Sequence, residues 1–218
     1  MGSSVTGNSG ETDQLLRRVA QGDRQEWGAL LERHRQRLRR MIALRLDQQL
    51  QGRIDASDVI QEAYLEASTR LEDYLRQPTM PFYLWLRFLT GQKLVELHRH
   101  HLGAQMRDAG REVALYRGSL PATSSAALAA QLLGRDTRPS EAAVRAERKI
   151  RLQEALNTME PMDREVLALR HFEQLTTSEV AQVLGIKEAA AGKRYLRALK
   201  RLKEVLTSMP GGMRELLP

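Results

Sequence analysis

Leu175-Thr176-Thr177-Ser178-Glu179-Val180-Ala181-Gln182-Val183-Leu184-Gly185-Ile186 reads as a short helix with both of its ends written out. Thr176 is placed to accept from the amide of Glu179 while the Glu179 carboxylate returns to the amide of Thr176, a capping box. Leu175 and Val180 stand where they staple that end. After Ala181 and Leu184, Gly185 tolerates the left-handed backbone that ends one helix, and Ile186 starts a second element. A short helix, a tight turn and a longer helix in succession form a helix-turn-helix pattern.

On the longer helix, at about 100° per residue, Ala191, Tyr195, Ala198, Leu202 and Val205 form one apolar stripe. Lys193, Arg194, Arg197, Lys200 and Arg201 gather opposite. From Lys187 to Lys203 there are seven basic residues and one acid, Glu188. A helix held by its inner face and offering these cations suits a DNA major groove, where phosphates supply affinity and base edges supply specificity. A merely solvated amphipathic helix would carry the same stripe. Gly192 costs roughly 1 kcal/mol relative to alanine inside a helix. With Ala189, Ala190 and Ala191 it makes a slim half-helix, fit for close approach either to DNA or to a neighbouring helix.

Outward from this motif, residues 148–208 form a small helical domain, followed by a Pro- and Gly-rich tail, residues 209–218. Residues 12–102 are rich in Leu, Arg, Glu and Gln at helical spacing, with turn signals at Gly22-Asp23, Gln51-Gly52 and Gln77-Pro78. They predict a second helical domain, preceded by a disordered tail, residues 1–11. Between the domains, residues 103–147 are broken by Gly118-Ser119-Leu120-Pro121 and by residues 134–140, so they read as a flexible linker with one short helix near residues 126–133. No segment alternates β-branched and aromatic residues over strand length. The expected fold class is all-α, with two small helical domains.

Composition narrows the function. The chain has no cysteine, which removes disulfides and thiolate metal sites and makes a reducing, cytoplasmic setting the expectation. No apolar run approaches the roughly 20 residues a membrane helix needs, and Gly2 with Thr6 matches a myristoylation pattern that small polar residues often mimic. The 34 Lys plus Arg exceed the 27 Asp plus Glu, a net charge of +7 that favours a polyanionic partner. Neither a nucleophile–base–orienter grouping nor a phosphate-binding glycine loop is present, so no enzyme is expected. No metal or cofactor is expected either: the carboxylates of residues 55–66 lack a further ligand to complete a shell, and His98 and His100 point to different sides of a helix.

The N-terminal domain holds two further signals. Residues 55–67 open with carboxylates suited to a helix N-terminus, with Val59, Ile60, Ala63, Tyr64, Ala67 and Leu71 on the inner arc. Asp58, Glu62 and Glu66 lie on the outer arc beside Gln61, and Leu65 falls among them, an anchor for a basic partner helix. Next, Phe82, Tyr83, Trp85 and Phe88 lead into Lys93, Arg99 and His100. Aromatics beside basic groups provide stacking platforms for single-stranded nucleic acid. The recurrence of Phe82, Trp85, Leu86 and Leu89 at core spacing supports a buried role equally well.

Taken in order, these residues resemble the extracytoplasmic-function (ECF) group of the sigma-70 family of bacterial RNA polymerase sigma factors. Those are compact members that keep only conserved regions two and four. The resemblance covers nearly all of the chain between Asp13 and Leu206. Residues 55–65 are similar to the family motif Asp-Ala-Glu-Asp-Leu-Val-Gln-Glu-Thr-Phe-Leu, which implies that Asp55, Asp58, Gln61, Glu62 and Leu65 bind the β′ clamp helices of core RNA polymerase. Ser57 replaces an acid of that motif.

Residues 85–99 resemble the segment that melts and reads the -10 promoter element. The resemblance implies roles there for Trp85, Gln92, Lys93, Glu96, Arg99 and His100, with Gln92 in place of the usual Asn and Glu96 in place of Asp. The helix-turn-helix resembles region four, which reads the -35 element and touches the β flap. It implies Lys187, Lys193, Arg194, Arg197, Lys200 and Arg201 as DNA contacts, Arg194 foremost, although Gly192 stands where lysine is common and Lys193 where serine is. The linker would run along the polymerase's RNA path, and an anti-sigma factor would be a further partner. A stand-alone helix-turn-helix regulator is the competing expectation. It would bind a palindrome without polymerase.

Overall fold

The computed structural model describes residues 6–46, 50, 52–102, 120–134 and 142–208. Their ordered elements are all helices: α1 (Thr6–Ala20), α2 (Arg24–Arg45), α3 (Ala56–Arg76), α4 (Phe82–Leu102), α5 (Ser125–Leu132), α6 (Ala142–Asn157), α7 (Pro161–Leu167), α8 (Thr177–Leu184) and α9 (Glu188–Ser208). A π-helical turn, Ala168–Phe172, continues α7. The all-α expectation therefore holds. The chain divides into two compact units: Met1–Ile42 with Gln48–Leu120, and Ala43–Asp47 with Pro121–Pro218.

In unit 1, α3 and α4 pack against each other and against α2. Leu30, Leu38, Met41 and Ile42 of α2, Val59, Ile60, Ala63 and Ala67 of α3 and Leu86, Leu89 and Leu94 of α4 are all fully buried. Two side chains at the margin of this interior have their polar atoms satisfied locally. The Tyr64 hydroxyl donates to the Leu31 carbonyl at 2.6 Å, and Trp27 Nε1 donates to Ser68 Oγ at 3.0 Å. A Cβ at Gly91 would lie 2.6 Å from the side chain of Leu120, which would have to shift.

The first helix starts six residues ahead of Thr12, through Gly7 and Gly10, so the expected tail of residues 1–11 is helical from Thr6. Low glycine propensity argued for a tail. Tertiary anchors just downstream outweigh it, since Glu11 pairs with Arg33 at 2.6 Å and Thr12 is buried.

Unit 2 is built around Leu44, Leu128, Ala129, Leu152, Leu156, Met159, Leu167, Ala168 and Ala198. The short helix expected inside the linker exists as α5, with Ser124 as its N-cap accepting from Ala127 N. It packs into this core, and α6 begins at Ala142, so residues 121–134 and 142–147 are folded parts of unit 2. Their small apolar side chains, Ala126, Ala127, Leu128 and Ala129, are what the core buries. The remaining linker residues, 103–119 and 135–141, lie outside the described residues, as does the tail 209–218.

Candidate nucleic-acid and partner interfaces

The helix-turn-helix is assembled as its sequence prescribes. Thr176 Oγ1 accepts from Glu179 N at 3.1 Å, and Thr176 N donates to the Glu179 carboxylate at 2.7 Å. Leu175 and Val180 are fully buried beneath this cap. Gly185 sits at φ 62°, ψ 37°, the left-handed geometry that closes α8, and Ile186 N donates to the Ala181 carbonyl at 3.0 Å.

On α9, Ala191 and Ala198 are buried, with Tyr195, Leu202 and Val205 packed against the same core. Lys187, Lys193 and Arg197 are exposed and Arg194 half-exposed. Among the described residues no ion pair engages these four. Lys200 approaches Glu204 at 3.9 Å, a loose contact between exposed groups. Arg201 departs from expectation: it binds the buried Asp163 of α7 at 3.0 Å and Glu160 at 3.5 Å. Its guanidinium braces α9 against α7, because Asp163 would otherwise be a buried carboxylate without a counter-ion.

On α3, the Asp55 carboxylate caps the helix by accepting from Ser57 N at 2.7 Å. That hydrogen bond holds its pKa below the ordinary value. Asp55, Asp58, Gln61 and Glu62 are exposed, and Leu65 stands 70% exposed among them. Glu66 is engaged by Arg70 at 2.5 Å, whereas Asp58 and Glu62 form no ion pair among the described residues. The result is an apolar knob in a fringe of uncompensated negative charge.

On α4, Gln92, Glu96, Arg99 and His100 share one exposed stripe, with Lys93 at its edge and paired to Glu96 at 3.1 Å. Trp85 heads that stripe by helical phase but is only 8% exposed. The ring of Tyr74 stacks on it at 4.5 Å and 22°, and Phe82 closes from the side at 5.7 Å. Trp85 is thus corrected from an open stacking platform to a member of the aromatic core, the role its core spacing also allowed. The first turns of α4 are buried nearly all round.

Two features were not found in the sequence. Leu196 is 66% exposed on α9 and Leu199 borders it; their absence from the inner stripe was the available signal. A buried Arg45 meets Glu165 and pairs with Glu173 at 2.6 Å, with Thr123 Oγ1 donating to Glu165 at 2.6 Å. No local pattern links residues so far apart in sequence. Among the described residues no three His, Cys, Asp or Glu side chains gather as a metal site would need, and no helix is long and apolar enough to cross a membrane.

Comparison with known proteins joins these surfaces. Residues 149–202, from α6 to the middle of α9, match the family model described as sigma-70, region 4. The ECF RNA polymerase sigma factor SigD of Mycobacterium tuberculosis is 28% identical over 205 residues, 94% of this chain and 88% of that protein. Along nearly its whole length the chain is similar to ECF RNA polymerase sigma factors. The RNA polymerase sigma factor NccH of Alcaligenes xylosoxydans xylosoxydans is 26% identical to this chain, over 89% of it and 94% of the relative. A solved structure of CnrH, in complex with the cytosolic domain of CnrY, shares the fold, with a TM-score of 0.52 and 22% identity over 90% of this chain and 97% of that one.

Proposed function

We propose that this chain gives promoter specificity to a bacterial RNA polymerase by binding the core enzyme with one unit and promoter DNA with both. In this reading the face of Asp55, Asp58, Gln61, Glu62 and Leu65 docks on the β′ clamp helices. Leucine fills an apolar socket while the unpaired carboxylates meet basic side chains, the arrangement expected of a desolvated anchor with a charged rim. The stripe of Gln92, Lys93, Glu96, Arg99 and His100 faces the opened -10 region. Lys187, just before α9, and Lys193, Arg194, Arg197 and Lys200 of α9 enter the major groove at the -35 element, and unit 2 also meets the β flap. The chain supplies no chemistry of its own and works in the cytoplasm, where the polymerase is.

The observation that carries this reading is the presence, in one chain, of an outward leucine ringed by uncompensated acids and a capped helix-turn-helix with uncompensated cations. A stand-alone repressor has no use for the first. That CnrH has been captured with the cytosolic domain of CnrY supports an anti-sigma polypeptide as a further partner. Pull-down with core polymerase followed by run-off transcription tests the proposal. Saturable core binding and new start sites are expected, and a chain that ignores core enzyme would end it.

A further inference from the structure

Leu196 exposes two thirds of its surface in the middle of a cationic face. It lies less than half-way along α9, with Lys193 one turn before it, Lys200 one turn after it and Arg197 adjacent. The inner stripe of Ala191 and Ala198 is on another side of the helix, so nothing among the described residues of unit 2 covers this side chain. One turn earlier, Gly192 clears the approach. A Cβ at Gly192 would meet only the methyl of Thr177, at 3.7 Å. Alanine would therefore fit, and internal packing does not demand the bare backbone.

The surroundings select the kind of partner. Three cations around one apolar tip match a surface that is anionic overall and carries an isolated apolar group. The DNA major groove is such a surface: phosphates line its walls, and the thymine 5-methyl is the apolar group on its base edges. A protein partner would instead have to surround an apolar socket with acids. In a helix-turn-helix the residues that reach base edges come from the early part of the second helix, where Leu196 lies.

We infer that Leu196 is a specificity-determining residue that packs on a thymine methyl in the duplex element bound by α9. This rests on the promoter-binding reading above and adds to it a base identity that arginine and lysine do not read. Lys193 and Lys200 hold the flanking phosphates, and the leucine scores the base between them.

The test uses holoenzyme reconstituted from the full chain and core polymerase, on a promoter taken from its own mapped start sites. Each thymine of the upstream element is replaced singly by deoxyuridine, which pairs identically and lacks only the methyl. At one position promoter occupancy is expected to fall about four-fold, the weight of one buried methyl group. Holoenzyme carrying Leu196→Ala should bind core normally and show no further loss at that position. Indifference of the wild-type holoenzyme to every replacement overturns the inference, as does undiminished sensitivity in Leu196→Ala. If Leu196→Ala fails in core pull-down, the residue serves the polymerase and the inference falls. Failure of the wild-type chain to bind core or initiate at all would be a different result, removing the promoter reading itself.

Discussion

Acid should weaken unit 1 through the buried imidazole of His34. His34 is buried, its ring 5.7 Å from Phe82 and 5.5 Å from Tyr83. Neither ring nitrogen has a hydrogen-bond partner among the described residues. Burial foremost, then the positive charges of Arg37 and Arg33, hold its pKa at about 3, against 6.5 when unperturbed. The folded chain therefore keeps this histidine neutral while the unfolded chain protonates it. Between pH 6.5 and 3 the unfolded state binds more protons, so stability falls as pH falls through that window, by about 1.4 kcal/mol per pH unit at the steepest. Relative to pH 8, the loss at pH 5 works out at about 2 kcal/mol. Trp27 and Trp85 are the chain's two tryptophans and both belong to unit 1, so urea unfolding followed by tryptophan fluorescence reads that unit. His34→Leu should lose about 2 kcal/mol less than the parent between pH 8 and pH 5, whatever its own offset at pH 8. Parallel pH profiles would refute the reasoning, since they would mean that the imidazole is already charged or hydrated in the folded chain.

Other substitutions separate the surfaces. Leu65→Arg should reduce binding to core polymerase more than ten-fold, a loss of over about 1.4 kcal/mol, and leave the far-UV circular dichroism unchanged; an unfolded variant would contradict the outward placement. Arg194→Ala should weaken promoter use by about 1–3 kcal/mol in quantitative footprinting of holoenzyme without altering core pull-down. Arg45→Met should destabilise unit 2 by about 3–5 kcal/mol, because it leaves the fully buried Glu173 without its counter-ion. Urea unfolding followed at 222 nm measures this, and a change under 1 kcal/mol would show that Glu165 and Glu173 reach water once the arginine is gone.

What the sequence disclosed follows the range of each interaction. The cap at Thr176, the glycine at 185 and the phase of Leu65 depend on neighbours within one or two turns, so one strand of letters contained them. Arg201 looked like a groove contact because a helical wheel counts charges on a face. Asp163, which captures it, lies 38 residues away. Trp85 had the right phase for its stripe, but Tyr74, on a different helix, covers it. Residues 121–134 read as tether because their alanines and glycine carry little local signal, yet small side chains let α5 sit close in the core of unit 2. Leu196 erred the other way. A leucine was not sought among the lysines, although its exclusion from the inner stripe could have been noticed.

The available charge on α9 also explains why such a unit would need a partner. Once Arg201 is committed to Asp163 and Lys200 leans on Glu204, four of the six cations expected to contact DNA remain wholly unengaged: Lys187, Lys193, Arg194 and Arg197. If each neutralises one phosphate, the logarithm of DNA affinity should fall with that of salt concentration at a slope of about −3.6. Raising salt from 50 to 200 mM would then cost roughly a hundred-fold. A head this salt-sensitive does not hold a promoter alone. Tethering it to a second contact on the same polymerase replaces its bulk concentration by an effective one that short tethers raise to about the millimolar range. The full chain without core polymerase should accordingly show a slope at least this steep in a salt titration on duplex DNA, and a slope near −1 would mean that α9 meets the backbone through far fewer cations than it displays.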